Sequence, residues 1–255
     1  MLNIIPIPAF QDNYIWTLHD GRYAVVVDPG DATPVRAYLD ANKLKLAAIL
    51  CTHNHGDHVG GVGELAQVYN VPVYGPQQEN IPCVNHPVGE GDVITIAQPD
   101  IKLEVLDIPG HTTGHVAYLG MGAVFCGDTL FSCACGGLFG GTAAQMHHSL
   151  QRLANLPDDT RVYCGHEYTE ANIPFALACE PGNAQLKQRL DDARALRAAG
   201  KPTLPSTIAL EKATNPFLRC TEPEIIRNVE RQAGVEIAPN GEAVFTALRE
   251  WKNAF

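Results

Sequence analysis

The sequence predicts an α+β protein: a β-rich layered domain over residues 1–168 and a smaller helical domain over residues 169–255. Three observations predict it. Short runs rich in β-branched and aromatic residues, separated by Gly, Pro, Asn and Asp, fill the first two thirds of the chain. One of them, residues 45–51, is continuously apolar after Lys45, as a strand buried on both faces must be. From about Thr169 onward the strand-like texture gives way to helical segments.

In chain order, residues 4–9, 14–19 and 23–28 form a meander broken by Asp12-Asn13 and Asp20-Gly21. Asp28-Pro29-Gly30 stops the third strand. Thr33 and Pro34 offer an N-cap and a first-turn proline for a helix reaching about Asn42, with Val35, Tyr38 and Leu39 on its apolar face. The buried strand 45–51 ends at the segment Cys51-Thr-His-Asn-His-Gly-Asp-His58. Gly60, Gly61 and Gly63 then allow close backbone packing before a helix over 64–69.

Strands follow at 71–74, 92–96 and 103–108, the last leading into Pro109-Gly110-His111. A hairpin pairs 116–119 with 123–126 and exits at Asp128, a helix covers 145–156, and a strand at 161–164 exits at His166. Helices over 169–179, 184–199, 222–233 and 242–253 complete the chain. Thr221-Glu-Pro-Glu224 has capping-box spacing, and Asn240 caps the last helix.

The totals exclude several classes. A chain of 255 residues, 45% hydrophobic and 18% charged, buries a full core, and no apolar run approaches the ~20 residues of a membrane helix. The opening Met-Leu-Asn-Ile-Ile-Pro-Ile-Pro has no basic stretch and no long apolar stretch, so a cytoplasmic location is expected. A formal net charge of -10 argues against general affinity for nucleic acid. The eight cysteines lack C-x-x-C pairs and sit largely in apolar runs, as reduced core residues do.

The chemistry is concentrated between His53 and His58, where three imidazoles and a carboxylate occupy six residues. A core has no use for four such groups, whereas divalent metals are held by sets of this kind. His111, Asp128 and His166 each follow a short apolar strand and adjoin a glycine, so they belong with the cluster. Seven groups, His53, His55, Asp57, His58, His111, Asp128 and His166, exceed the four of a closed structural zinc site. Two ions fit better, sharing one carboxylate because only a carboxylate has two ligand oxygens, and Asp128 is the natural bridge. Such a pair acidifies a water between the ions and so points to hydrolysis. No Gly-x-Ser-x-Gly elbow or GxGxxG loop points to a serine nucleophile or a dinucleotide.

The segments T-H-N-H-G-D-H, P-G-H-T-T-G-H, C-G-D-T-L-F and C-G-H-E-Y resemble those of the metallo-β-lactamase superfamily, and specifically of the glyoxalase II (hydroxyacylglutathione hydrolase) family. Phe131-Ser-Cys-Ala-Cys135, Gly141-Thr142, Glu167-Tyr168-Thr169 and Asn215-Pro-Phe-Leu-Arg219 carry the narrower likeness. The resemblance implies an αββα sandwich, with His53, His55 and His111 on one metal, Asp57, His58 and His166 on the other, and Asp128 bridging. Asp57, His58 and Asp128 are then the catalytic group. Zinc is the expected metal, with iron and manganese open because the same N/O donors accept all three.

The implied reaction is cleavage of S-D-lactoylglutathione, and of other S-2-hydroxyacylglutathiones, to glutathione and D-lactate by a metal-bridging hydroxide, the second step of methylglyoxal detoxification. The implied substrate contacts are Phe139, Tyr168, Arg249 and Lys252. Arg249 and Lys252 are expected to share one face of the last helix, opposite a core stripe of Val244, Phe245, Leu248 and Trp251. The chain departs from the family at 135–142. Gly137 stands where Lys or Arg is usual, Phe139 replaces a tyrosine and Gly140 a frequent acidic residue, so a more mobile, less cationic loop is expected. A monomer is expected. The alternatives are a mononuclear-iron glutathione persulfide dioxygenase and a nucleic-acid processing metallohydrolase of the same fold.

Overall fold

A computed structural model describes residues 2–255 of the chain. Two compact units emerge: the chain up to Asp107 with Thr112–Gly127, and Ile108–His111 with Asp128–Phe255.

In the first unit, β1 (Asn3–Ala9), β2 (Asn13–His19) and β3 (Tyr23–Val27) are an antiparallel meander. Then β4 (Lys45–Leu50), β5 (Val73–Pro76) and β6 (His86–Val88) continue the sheet in parallel. The helices α1 (Ala32–Asn42) and α3 (Val62–Tyr69) cover one face. Val35, Leu39, Val62 and Leu65 pack there with Ile15, Val26, Ile49 and Val73. The opposite alternation, Val25, Val27, Ala48 and Leu50, is equally buried, which is why 45–50 carries no polar side.

A second, antiparallel meander is built from β7 (Val93–Ile96), β8 (Ile101–Asp107), β9 (Val116–Gly120) and β10 (Ala123–Gly127). It is tied to the first sheet beside the His cluster. The Tyr118 hydroxyl donates to the Cys51 carbonyl at 2.5 Å, and the Val116 N–H donates to the Thr52 carbonyl at 3.0 Å.

The second unit holds the two-stranded β11 (Leu130–Phe131) and β12 (Ala134–Cys135), and β13 (Arg161–Cys164) paired with β14 (Ser206–Thr207). Its helices are α4 (Ala143–Ala154), α5 (Thr169–Cys179), α6 (Ala184–Ala198), α7 (Ile208–Thr214), α8 (Pro223–Ala233) and α9 (Gly241–Ala254). A 3₁₀ turn at Pro216–Leu218 seats Phe217 between Phe175 and Phe245, with ring centroids 6.0 and 5.5 Å away. No described helix is long and apolar enough to cross a membrane.

Several local expectations change. Asp31, rather than Thr33, caps α1, its carboxylate accepting from the Thr33 N–H. The capping box expected at Thr221 does not form: Glu222 is the cap residue, and Glu224 accepts from the Gly182 N–H at 3.0 Å instead. A capping box does form at α4, between Thr142 and Gln145. Strands β6 and β14 and helix α7 have no counterpart in the sequence reading. Arg249 is buried along with Val244, Phe245 and Leu248, so it does not lie on an exposed face opposite them.

Candidate metal centre

In the first unit, β4 delivers Thr52 and His53, and the single-turn α2 (Gly56–Val59) carries Asp57 and His58. The turn fits because Gly60 and Gly61 lie against the backbone of 29–31, where a Cβ on Gly61 would meet the Pro29 oxygen at 2.7 Å. His53 and His58 are buried, and His55 and Asp57 are half-buried. The His53 ring centroid lies 4.7 Å from that of His55 and 4.2 Å from that of His58, while His115 stacks on it at 4.6 Å.

Asp28 supports this set. Its Oδ1 accepts from the Thr52 N–H at 2.7 Å, its Oδ2 from the Thr52 hydroxyl at 2.7 Å, and Oδ2 also lies 3.2 Å from His58 Nδ1. With its proton given to Asp28, the Thr52 Oγ1 can accept from His53 Nδ1, 3.0 Å away. Both imidazoles therefore carry Nδ1–H and keep the Nε2 lone pair for a ligand role, the usual arrangement of histidines around metals. Asn13 completes the support, its Nδ2 donating to Asp57 Oδ2 at 2.9 Å. The sequence reading took Asp28 and Asn13 as turn formers. Asp28 also follows a short apolar strand, but Pro29 rather than a glycine adjoins it, so the rule that selected His111, Asp128 and His166 passes it over; it sits in the left-handed region at φ 53°.

In the second unit, His111, Asp128 and His166 come together, all buried. His111 Nε2 lies 3.6 Å and His166 Nε2 3.3 Å from the same oxygen, Oδ2 of Asp128. The His111 Nδ1 donates to the Gly137 carbonyl at 2.8 Å, and the Phe139 N–H returns a bond to the His111 carbonyl at 2.8 Å. His111 is thus locked to the loop that the sequence marked as glycine-rich. Gly136 has to be glycine here, since a Cβ would meet the Asp128 carbonyl oxygen at 1.9 Å.

Tyr168 stacks on His166 with centroids 4.7 Å apart at 10°, and Phe131 meets both rings edge-on. Phe139 is exposed and meets His111 edge-on at 5.3 Å. Lys252 lies over the Phe175 and Phe255 rings, and burial, then the Arg249 charge, hold its ammonium below the usual lysine range. The Arg249 Nη1 donates to the Cys135 carbonyl at 3.0 Å and the Gly136 carbonyl at 3.4 Å. Burial pushes the Cys133 thiol up to about 12 and the Cys135 thiol up to about 11, so neither supplies a thiolate nucleophile.

The Metallo-beta-lactamase superfamily profile matches residues 10–166, and the profile described as Hydroxyacylglutathione hydrolase C-terminus matches 167–255. The chain belongs to the metallo-β-lactamase superfamily, and its fold is the αββα sandwich of that superfamily with a C-terminal helical domain. The hydroxyacylglutathione hydrolase of Methylobacillus flagellatus is 55% identical over 255 residues, covering all of both chains. That of Nitrosomonas europaea is 51% identical over all of this chain and 97% of its own. Within the superfamily, then, this chain belongs to the hydroxyacylglutathione hydrolase family. Among solved structures, TTHA1623 in a di-iron-bound form matches with a TM-score of 0.60 and 28% identity, over 85% of this chain and 100% of its own.

Proposed function

We propose that the chain is a binuclear metal-dependent thioester hydrolase that cleaves S-D-lactoylglutathione and other S-2-hydroxyacylglutathiones. The observation that carries this reading is the convergence of His111 Nε2 and His166 Nε2 on Asp128, at 3.6 and 3.3 Å from its Oδ2, which puts one imidazole of each proposed metal set beside the carboxylate that would serve both. His53, His55 and His111 would hold one ion, Asp57, His58 and His166 the other, and Asp128 both. The donor set fits such ions, because the Nδ1 atoms of His53, His58 and His111 face oxygen partners and leave their Nε2 lone pairs for ligation. The donors are all nitrogen and oxygen, which suits zinc, iron or manganese, and the related TTHA1623 carries two irons.

When bound, two such ions supply an acidified water and a Lewis acid for the thioester carbonyl. The protein's own part is orientation: Asp28 and Thr52 fix His53 and His58, Asn13 fixes Asp57, and the Gly137 carbonyl fixes His111. Asp57, His58 and Asp128 stand nearest the chemistry. Cleavage needs no strong general acid, since a thiol of pKa ~8.5 leaves as the thiolate. Tyr168, Phe139, Arg249 and Lys252 are the proposed substrate contacts, Arg249 and Lys252 offering cations to the glutathione carboxylates. Residues 1–168 would form the catalytic domain and 169–255 the substrate-binding domain of a cytoplasmic monomer.

The test is elemental analysis of the purified protein together with the loss of thioester absorbance from S-D-lactoylglutathione. The expected result is about two metals per chain, with hydrolysis abolished by a chelator and restored by added metal. Absence of thioester cleavage after metal reconstitution overturns the reading.

A further inference from the structure

We propose that Glu79 is a positioning residue for the metal set of His53, His55 and His111, acting through residues 112–115 rather than by touching a metal or the substrate. Glu79 stands in the turn after β5, and that turn is fixed to the sheet. The Gln77 N–H donates to the Val88 carbonyl at 2.9 Å, and the Glu79 N–H to the Pro76 carbonyl at 3.2 Å. From this mount a single carboxylate oxygen, Oε1, accepts from the Thr112 hydroxyl and from the Gly114 N–H, the latter at 3.1 Å. Thr112 directly follows His111 in the chain. Gly114 directly precedes His115, whose ring stacks on that of His53 with centroids 4.6 Å apart at 17°. Glu79 therefore grips the stretch between one proposed ligand and the imidazole packed against another.

The surroundings of Glu79 fit this role. Its other oxygen, Oε2, is buried with no hydrogen-bond partner among the described residues. Leaving a buried carboxylate half satisfied costs stability, and a turn that only ended a strand would have no need of one. The segment is also shaped to the side chain: a Cβ on Gly114 would stand 2.6 Å from Glu79 Cγ and 2.9 Å from Gln78 Cβ. Only glycine lets this N–H approach the carboxylate so closely. Beyond Gly114 the chain is tied again, where the Val116 N–H donates to the Thr52 carbonyl at 3.0 Å. Loss of the Glu79 acceptor would release the middle of the segment, and with it the placement of the wholly buried His115 ring against His53. Removing an outer partner of a metal-bound histidine typically changes metal affinity by about 10–100-fold, so Glu79 should register in metal binding before any substrate is present.

The inference rests on the reading of His53, His55 and His111 as metal ligands, and its test separates the two ideas. Glu79→Ala, Glu79→Gln and Glu79→Asp are made in the full chain, and zinc binding to each apoprotein is titrated against a chromophoric chelator. The Gly114 amide signal is followed by NMR, the melting temperature of each apoprotein is measured, and kcat and KM for S-D-lactoylglutathione are taken at saturating metal. Expected for Glu79→Ala are a loss of about tenfold in affinity for one zinc and not the other, a shifted Gly114 signal, and a fall in kcat with little change in KM. Glu79→Gln should stay close to the wild type, because its amide oxygen accepts at the same reach. Glu79→Asp keeps the charge but falls one methylene short, and should resemble the Ala variant. Should Glu79→Ala fail to fold, the comparison of Gln with Asp decides. Restoration by Asp and not by Gln would overturn the proposal in favour of a charge effect. Wild-type zinc affinity in the Ala variant, or an equal loss at both metals in step with a lower melting temperature, would make Glu79 a general prop of the fold and overturn it too. Failure of the wild-type protein to bind zinc at all would instead refute the metal reading itself.

Discussion

Asp28 Oδ2 lies 3.2 Å from His58 Nδ1, and through the Thr52 hydroxyl the same carboxylate reaches His53, whose Nδ1 is 3.0 Å from Thr52 Oγ1. One buried carboxylate therefore orients one histidine of each proposed metal set. Asp28→Asn replaces two acceptor oxygens by one and a donor NH2, so the amide cannot accept from the Thr52 N–H, the Thr52 hydroxyl and His58 together. Affinity for both metals should fall by about 10–100-fold, while Thr52→Val should weaken mainly the metal held by His53. Metal content after dialysis against graded chelator checks this. Equal retention by Asp28→Asn and the wild type would show that the carboxylate orients nothing.

The loop at Gly137 bears on substrate affinity. A Cβ there meets only the Phe139 ring edge, at 3.0 Å, and that ring is exposed and able to swing. Gly137→Arg should therefore be accommodated and add a cation beside the proposed site. Exposed ion pairs contribute about 0.2–1 kcal/mol, so KM for glutathione thioesters should drop by less than about fivefold with kcat unchanged. Gly137→Ala controls for lost backbone freedom. An unchanged KM in the Arg variant would mean that the missing cation does not limit binding. The expectation of a mobile loop meets a segment held by the His111, Phe139 and Arg249 hydrogen bonds.

What was legible in the sequence was what lies close together along it. His53 to His58 form a local cluster, and His111, Asp128 and His166 share one local context, a strand exit beside glycine. Their supports were not legible, because the bonds span the chain: Asp28 to Thr52 and His58 crosses 24 and 30 positions, and Asn13 to Asp57 crosses 44. Helix spans could be read from periodicity, but caps could not always, since Glu224 is drawn to Gly182, 42 positions away. The same limit hid Arg189. In the charged stretch 184–198 it looks like Arg194 or Arg197, and only tertiary contacts distinguish it.

Arg189 and Glu211 form a buried pair in the second unit, at 7% and 0% exposure. The guanidinium also donates to Thr214, to Ser132 Oγ at 2.7 Å and to Ser206 Oγ at 2.9 Å. Glu211 in turn accepts from the Cys133 N–H at 2.9 Å and from Asn215 Nδ2 at 3.1 Å. Removing one partner strands a buried charge, so Glu211→Ala should lower stability by about 3–5 kcal/mol. Arg189→Met with Glu211→Leu should recover much of that loss, because no lone charge remains. Urea denaturation of the three variants measures it; a double variant no more stable than Glu211→Ala would show that the hydrogen bonds to the 132–133 turn, not the stranded charge, set the cost.

His147, on α4, gives the fold an acid-sensitive contact. Its ring packs on Phe245 at 5.6 Å, and burial, the largest influence, lowers its pKa from 6.5, with His148 acting the same way and Glu242 opposing. The sign follows from proton counting. Between the folded pKa and 6.5 the unfolded chain binds more protons than the native one, so native stability is lost as pH falls through that window and levels off below the folded pKa. His147→Gln removes the titrating group, and its melting temperature should fall less steeply than that of the wild type between about pH 6.5 and pH 5. Thermal melts of both proteins across that range, with metal held constant, provide the comparison. Parallel slopes would assign the acid sensitivity to other groups and leave His147 a neutral packing residue at every pH.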